Sequence, residues 1–67
     1  MITDHRKLRR VCQWAFPGSI VSVSEAWNGI EDKQAFLDRA VKWSGAPITA
    51  AEIEAKEADY DAAMAAS

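Results

Sequence analysis

His5 and Cys12 are the residues best suited to nucleophilic or acid–base chemistry, and each is the only one of its type in the chain. They stand seven positions apart, so a helix would put them on one face but two turns from each other. At that separation an imidazole cannot serve a thiol as its base. Two such ligands also fail to close a tetrahedral zinc site, and a lone cysteine excludes an intramolecular disulfide. Cys12 falls on an apolar stripe and reads as a small core residue. His5 reads as a solvated first-turn residue. The carboxylates Glu52, Glu54, Glu57, Asp59 and Asp61 crowd one segment, but they read as a charged helix face in water. Neither a Gly-x-Ser-x-Gly elbow, a glycine-rich phosphate loop nor a paired-histidine metal motif occurs in the sequence. The expectation is a protein that is not an enzyme, with no catalytic residues, no metal and no cofactor.

Charge is spread unevenly. Residues 1–15 hold Arg6, Lys7, Arg9 and Arg10 against Asp4, a local +3, within a chain of net charge −2. The rest is acidic. Arg6, Lys7, Arg9 and Arg10 could therefore meet nucleic-acid phosphates, or they could pair with the acidic C-terminal segment of the same molecule. A helix-turn-helix reading of Ser22 to Trp43 fits poorly, because its second helix would open with Glu31 and Asp32, where donors are needed. Ser24 and Asp38 would also occupy positions that should be apolar.

The aromatic residues suggest a different surface. Three tryptophans are many for a chain of 67 residues. At about 100° per residue, Trp14 lies roughly 110° from the centre of its helix's apolar stripe, beside Lys7 and Arg10. Phe36 and Trp43 share a flank roughly 100° from the Leu37–Val41 stripe. Such flanks either pack together inside the molecule or form a partner-binding patch of Lys7, Arg10, Trp14, Phe36 and Trp43, since Trp and Arg dominate interface hot spots.

Helices must position these groups. Leu8, Val11, Cys12 and Ala15 follow i, i+3, i+4, i+7 spacing over Thr3 to Ala15, with Thr3 or Asp4 as N-cap. Phe16-Pro17-Gly18-Ser19 then forms a stop and a type II turn. Ile20 to Ser24 is β-rich, yet no other stretch reads convincingly as a strand partner. Ser22 with Glu25 also forms a capping-box pattern, so the expectation is an extended segment and then a short helix through Trp27, ended by Asn28-Gly29. Ile30 to Ser44 reads as a second helix, with Leu37, Ala40 and Val41 inward, Ile30 in line with them, and Gly45 and Pro47 as its stop. Thr49 opens the last helix with Thr49-Ala50-Ala51-Glu52, a capping box, flanked by a staple of Ile48 and Ile53. Alanines carry it onward.

The expected fold is all-α: a single domain over residues 1–67, a bundle of three main helices with a short extra helix or strand at about 20–28. The alternative is α+β with one short strand or hairpin. Its core is expected to contain Leu8, Val11, Cys12, Ala15, Ile30, Leu37, Ala40, Val41, Ile53 and Tyr60. No run approaches the ~20 apolar residues of a membrane span, and no apolar stretch follows the basic N-terminus as in a signal peptide. A cytoplasmic location is expected. The alanine-rich composition resembles that of small proteins of high-GC bacteria or their phages. The function expected is that of a small protein-interaction or regulatory protein whose partner is another protein or a second copy, with a phage or prophage as the origin its composition suggests. A nucleic-acid-associated regulator is the alternative, followed by a small structural subunit of a larger assembly.

Overall fold

A computed structural model describes all of residues 1–67. Helix α1 spans His5–Ala15, and the Asp4 carboxylate caps it by accepting the Lys7 N–H at 2.9 Å. Leu8, Val11 and Cys12 are buried along the expected stripe. The chain then reverses: Gly18 takes φ +77°, and the Ser19 N–H donates to the Phe16 carbonyl at 3.2 Å. With Pro17 before it, Gly18 supplies the positive φ that a type II turn requires.

The fold is α+β, which corrects the all-α expectation. Strand β1, Ile20–Val23, pairs antiparallel with β2, Val41–Trp43, which was expected to be the end of a helix. Ile20 faces Trp43, Ser22 faces Lys42 and Val23 faces Val41. Two residues of β1 thus advance against one of β2, so Val21 is the extra residue of a bulge and is exposed. Hydrogen bonds extend the pairing at both ends, from Ser44 N–H to the Ser19 carbonyl and from Ser24 N–H to the Ala40 carbonyl, each 2.9 Å. Val-Lys-Trp alternates half-buried, exposed, half-buried as a strand with one inward face does.

Helix α2 is correspondingly short, Lys33–Ala40, capped by Asp32 and running directly into β2 at Val41. The short helix expected before Asn28 does not form. Residues 24–32 instead make a loop held by side chains. Asn28 Oδ1 accepts the N–H groups of Ile30 and Glu31, both at 2.8 Å. Gly29 follows with φ +81°, and a Cβ there would stand 2.9 Å from the Thr3 carbonyl oxygen. Ile30, expected in the core, is 90% exposed because this turn precedes the helix and points it outward.

Thr49 caps α3, Ala50–Ala55, as expected, its hydroxyl oxygen accepting the Glu52 N–H at 3.2 Å. A break at Lys56 separates it from α4, Glu57–Ala65. The core comprises Ile2, Leu8, Val11, Cys12, Trp27, Phe36, Leu37, Ala40 and Ile53. Phe16, Ile20, Val23, Val41, Trp43, Ile48, Ala50 and Tyr60 close it from the sides. Ile20, Val23, Val41 and Trp43 of the strands thus flank a core that was expected from helices alone. No helix is long and apolar enough to cross a membrane.

Candidate functional site

The residues expected to form one patch divide between core and surface. Phe36 is 1% exposed and is a core residue. Its ring meets His5 of α1 edge-on at 5.9 Å. Trp43 is half-buried on the inward face of β2, packed against the core. Neither belongs to an open surface patch. Lys7, Arg10 and Trp14 lie together on α1, and helix α4 supplies the other side of the site.

Glu57, Tyr60, Asp61 and Met64 recur at i, i+3, i+4 and i+7 along α4, which places them on one face. That face meets α1. Lys7 Nζ pairs with Asp61 at 2.9 Å and with Glu57 at 3.0 Å. These hydrogen bonds, Asp61 first and Glu57 second, push the Lys7 pKa up. The N-terminal ammonium, 2.8 Å from Glu57, and then Lys7 hold the Glu57 carboxyl below its usual range. Two turns further along α1, the Trp14 ring stands edge-on to Tyr60, centroids 5.9 Å apart and planes at 80°. Trp14 remains 43% exposed and Met64 44% exposed.

Between these helices lies an open cleft of about 440 Å³, lined by Asp4, Arg6, Lys7, Arg10, Tyr60 and Met64. Of the three bases that line it, Lys7 is ion-paired, while Arg6 and Arg10 have no ion-pair partner. Arg9 points elsewhere: it is half-buried, and its Nε is sealed from solvent without a hydrogen-bond partner. The four bases expected as one nucleic-acid surface therefore split into an internally neutralised Lys7, a half-buried Arg9, and Arg6 with Arg10 at the cleft.

A second cleft of about 380 Å³ lies beside Trp27, Lys33 and Glu54. Its polar groups are engaged with one another. Lys33 Nζ lies 5.7 Å from the Trp27 ring centroid and 3.4 Å from Glu54, and Glu54 Oε1 accepts the Ile2 N–H at 2.7 Å. Gln34 Oε1 accepts the Ala50 N–H at 2.7 Å. These contacts join the N-terminus, α2 and α3, and they describe a structural seam.

His5 is not the solvated residue expected. Its Nδ1 accepts the Trp27 backbone N–H at 2.9 Å, and the Trp27 indole N–H donates to the Glu31 carbonyl at 2.7 Å. Cys12 is buried, with Sγ 3.8 Å from the Ser19 hydroxyl oxygen, and burial pushes its thiol pKa up. No three His, Cys, Asp or Glu side chains converge in a metal-ligating group.

The sequence places Tyr60 in the core, against which it packs half-buried, puts Met64 on the same stripe, and offers Arg6 only as a nucleic-acid contact; it does not join them to Trp14 in one face. The spacing of Glu57, Tyr60, Asp61 and Met64 was the available signal; its pairing with α1 was not. No protein-family model matches the chain, and no curated protein or solved structure matches it significantly.

Proposed function

We propose that this chain is a non-enzymatic interaction protein that docks on a partner protein through the α1–α4 face and regulates it by occupying that surface. The observation that carries the reading is Trp14, 43% exposed, set against Tyr60 beside an open cleft with two unpaired arginines. Aromatic and arginine side chains supply most of the energy of typical interfaces. Here the indole is already braced by Tyr60, so less side-chain entropy is lost on docking. Arg6 and Arg10 provide a polar rim around that apolar centre.

The non-enzymatic part of the reading rests on how the two reactive side chains are used. His5 Nδ1 is occupied by a backbone N–H, and the Cys12 thiol is enclosed in the core. A nucleic-acid function is less well supported, because only two of the four α1 bases are both exposed and unpaired. We place the protein in the cytoplasm on the strength of its free thiol, which suits a reducing compartment.

The test is nuclease-treated affinity capture from native cell extract, comparing the wild type with Trp14→Ala after circular dichroism shows both folded. Specific proteins retained by the wild type and lost with the variant support the reading. An identical set from both proteins, or none from either, overturns it.

A further inference from the structure

We infer that the occupant of the α1–α4 cleft is an acidic helical segment of another protein, carrying carboxylates one turn apart and an apolar side chain between them. The inference rests on the docking role proposed for this face. Arg6 and Arg10 are four residues apart on α1, so their stems leave the helix about 6 Å apart along its axis. Asp or Glu at i and i+4 of a second helix repeat that spacing. Each guanidinium can take a carboxylate through two parallel N–H donors.

Charge at the cleft points the same way. The third base, Lys7, is neutralised by Glu57 and Asp61. Asp4 is committed to the α1 cap through the Lys7 N–H. What remains open is a pair of cations that line the cleft together with Tyr60 and Met64, Tyr60 being in edge-on contact with Trp14. That combination selects a ligand with both negative charge and apolar bulk.

Other macromolecules fit less well. A phosphate backbone following the cleft would pass Asp4 on a chain of net charge −2, with Lys7 already paired to Glu57 and Asp61 and only two unpaired cations to meet it. A second copy docking about a two-fold axis through this face would bring Arg6 and Arg10 towards their own equivalents, and like charges oppose that contact.

The probe is a displayed library of random peptides of about 16 residues, long enough for four helical turns, selected on the full chain. Enriched sequences should combine Asp or Glu at i, i+3 or i, i+4 with Leu, Phe or Trp. A synthetic copy of the leading peptide should bind the Arg6→Glu, Arg10→Glu double variant about thirtyfold more weakly, the loss expected when charge pairs are replaced by repulsion. Lys42→Glu, outside the cleft, should bind it as the wild type does. Exchanging the peptide's acids for lysine should restore binding to the double variant.

Peptides that bind wild type and double variant equally, yet are lost with Trp14→Ala, would overturn the acidic occupant while leaving the docking face in place. Peptides indifferent to all three substitutions would overturn both. Displacement of the leading peptide by a single-stranded oligonucleotide at low salt, or its release on dimerisation of the chain, would also overturn the inference.

Discussion

The imidazole Nδ1 of His5 accepts the backbone N–H of Trp27 at 2.9 Å, tying the loop over residues 24–32 to the first turn of α1. An imidazole that accepts at Nδ1 carries its proton at Nε2 and is neutral. Protonation would turn the acceptor into a donor and leave the Trp27 N–H without a partner.

Stability should therefore fall on mild acidification. Burial first, and then Arg9, lower the His5 pKa from 6.5, with Asp4 opposing them. The folded state thus binds fewer protons than the unfolded state just below pH 6.5, so stability rises with pH there. The contribution is complete above 6.5 and is lost as pH falls through the depressed folded value. Urea unfolding at pH 7.5 and 5.5 should show the loss, and His5→Asn, which retains an acceptor near Nδ1 but does not titrate, should flatten it. An equal pH dependence in the variant would contradict the assignment.

Trp14 and Phe36 should respond differently to truncation although both lie off their helices' central stripes. Trp14→Ala removes a half-exposed ring and one edge-on aromatic contact worth about 1 kcal/mol beyond the area the ring buries, so its total cost should stay below that of Phe36→Ala. Phe36→Ala opens the centre of the core and should cost roughly 3–5 kcal/mol. Thermal melts of the two variants measure this directly. A Trp14→Ala protein as unstable as Phe36→Ala would make Trp14 a core residue and remove the basis of the docking face.

Thr49→Ala should destabilise the chain by roughly 0.5–2 kcal/mol, because the Glu52 N–H loses its acceptor at the start of α3. Thr49→Ser retains the hydroxyl and should recover most of that loss. Amide exchange at Glu52 provides a local readout: protection should drop in Thr49→Ala and persist in Thr49→Ser.

The Cys12 thiol should be inert in the native protein. It is 1% exposed, and burial disfavours the thiolate that reacts. An aromatic disulfide reagent should label it slowly under native conditions and at once in urea. Cys12→Ala should cost on the order of 1 kcal/mol and leave partner binding unchanged. Rapid native labelling would place the thiol at the surface.

Helix starts and turns were readable because their energetics act within a few residues. Asp4 and Thr49 meet N–H groups three positions on, and Pro17-Gly18 bends its own backbone. The stripe of Leu8, Val11 and Cys12 follows from helical spacing alone. Ile30 was misplaced by the same logic: it shares the spacing of Leu37, but Asn28 captures its N–H and holds it in a turn before the helix begins.

The sequence by itself determined the caps, the first turn and the apolar stripe of α1; tertiary structure decided the sheet and the surface. Val41-Lys42-Trp43 satisfies both helical spacing and strand alternation, and the choice fell to strand because Ile20–Val23 offers backbone partners across the chain. Trp14 could be seen to stand off its stripe, but only Tyr60 of α4 gives that ring a partner and sets it beside a cleft. Strand pairing and the division of aromatic residues between core and surface depend on groups far apart in the chain, whose contact energies no local pattern contains.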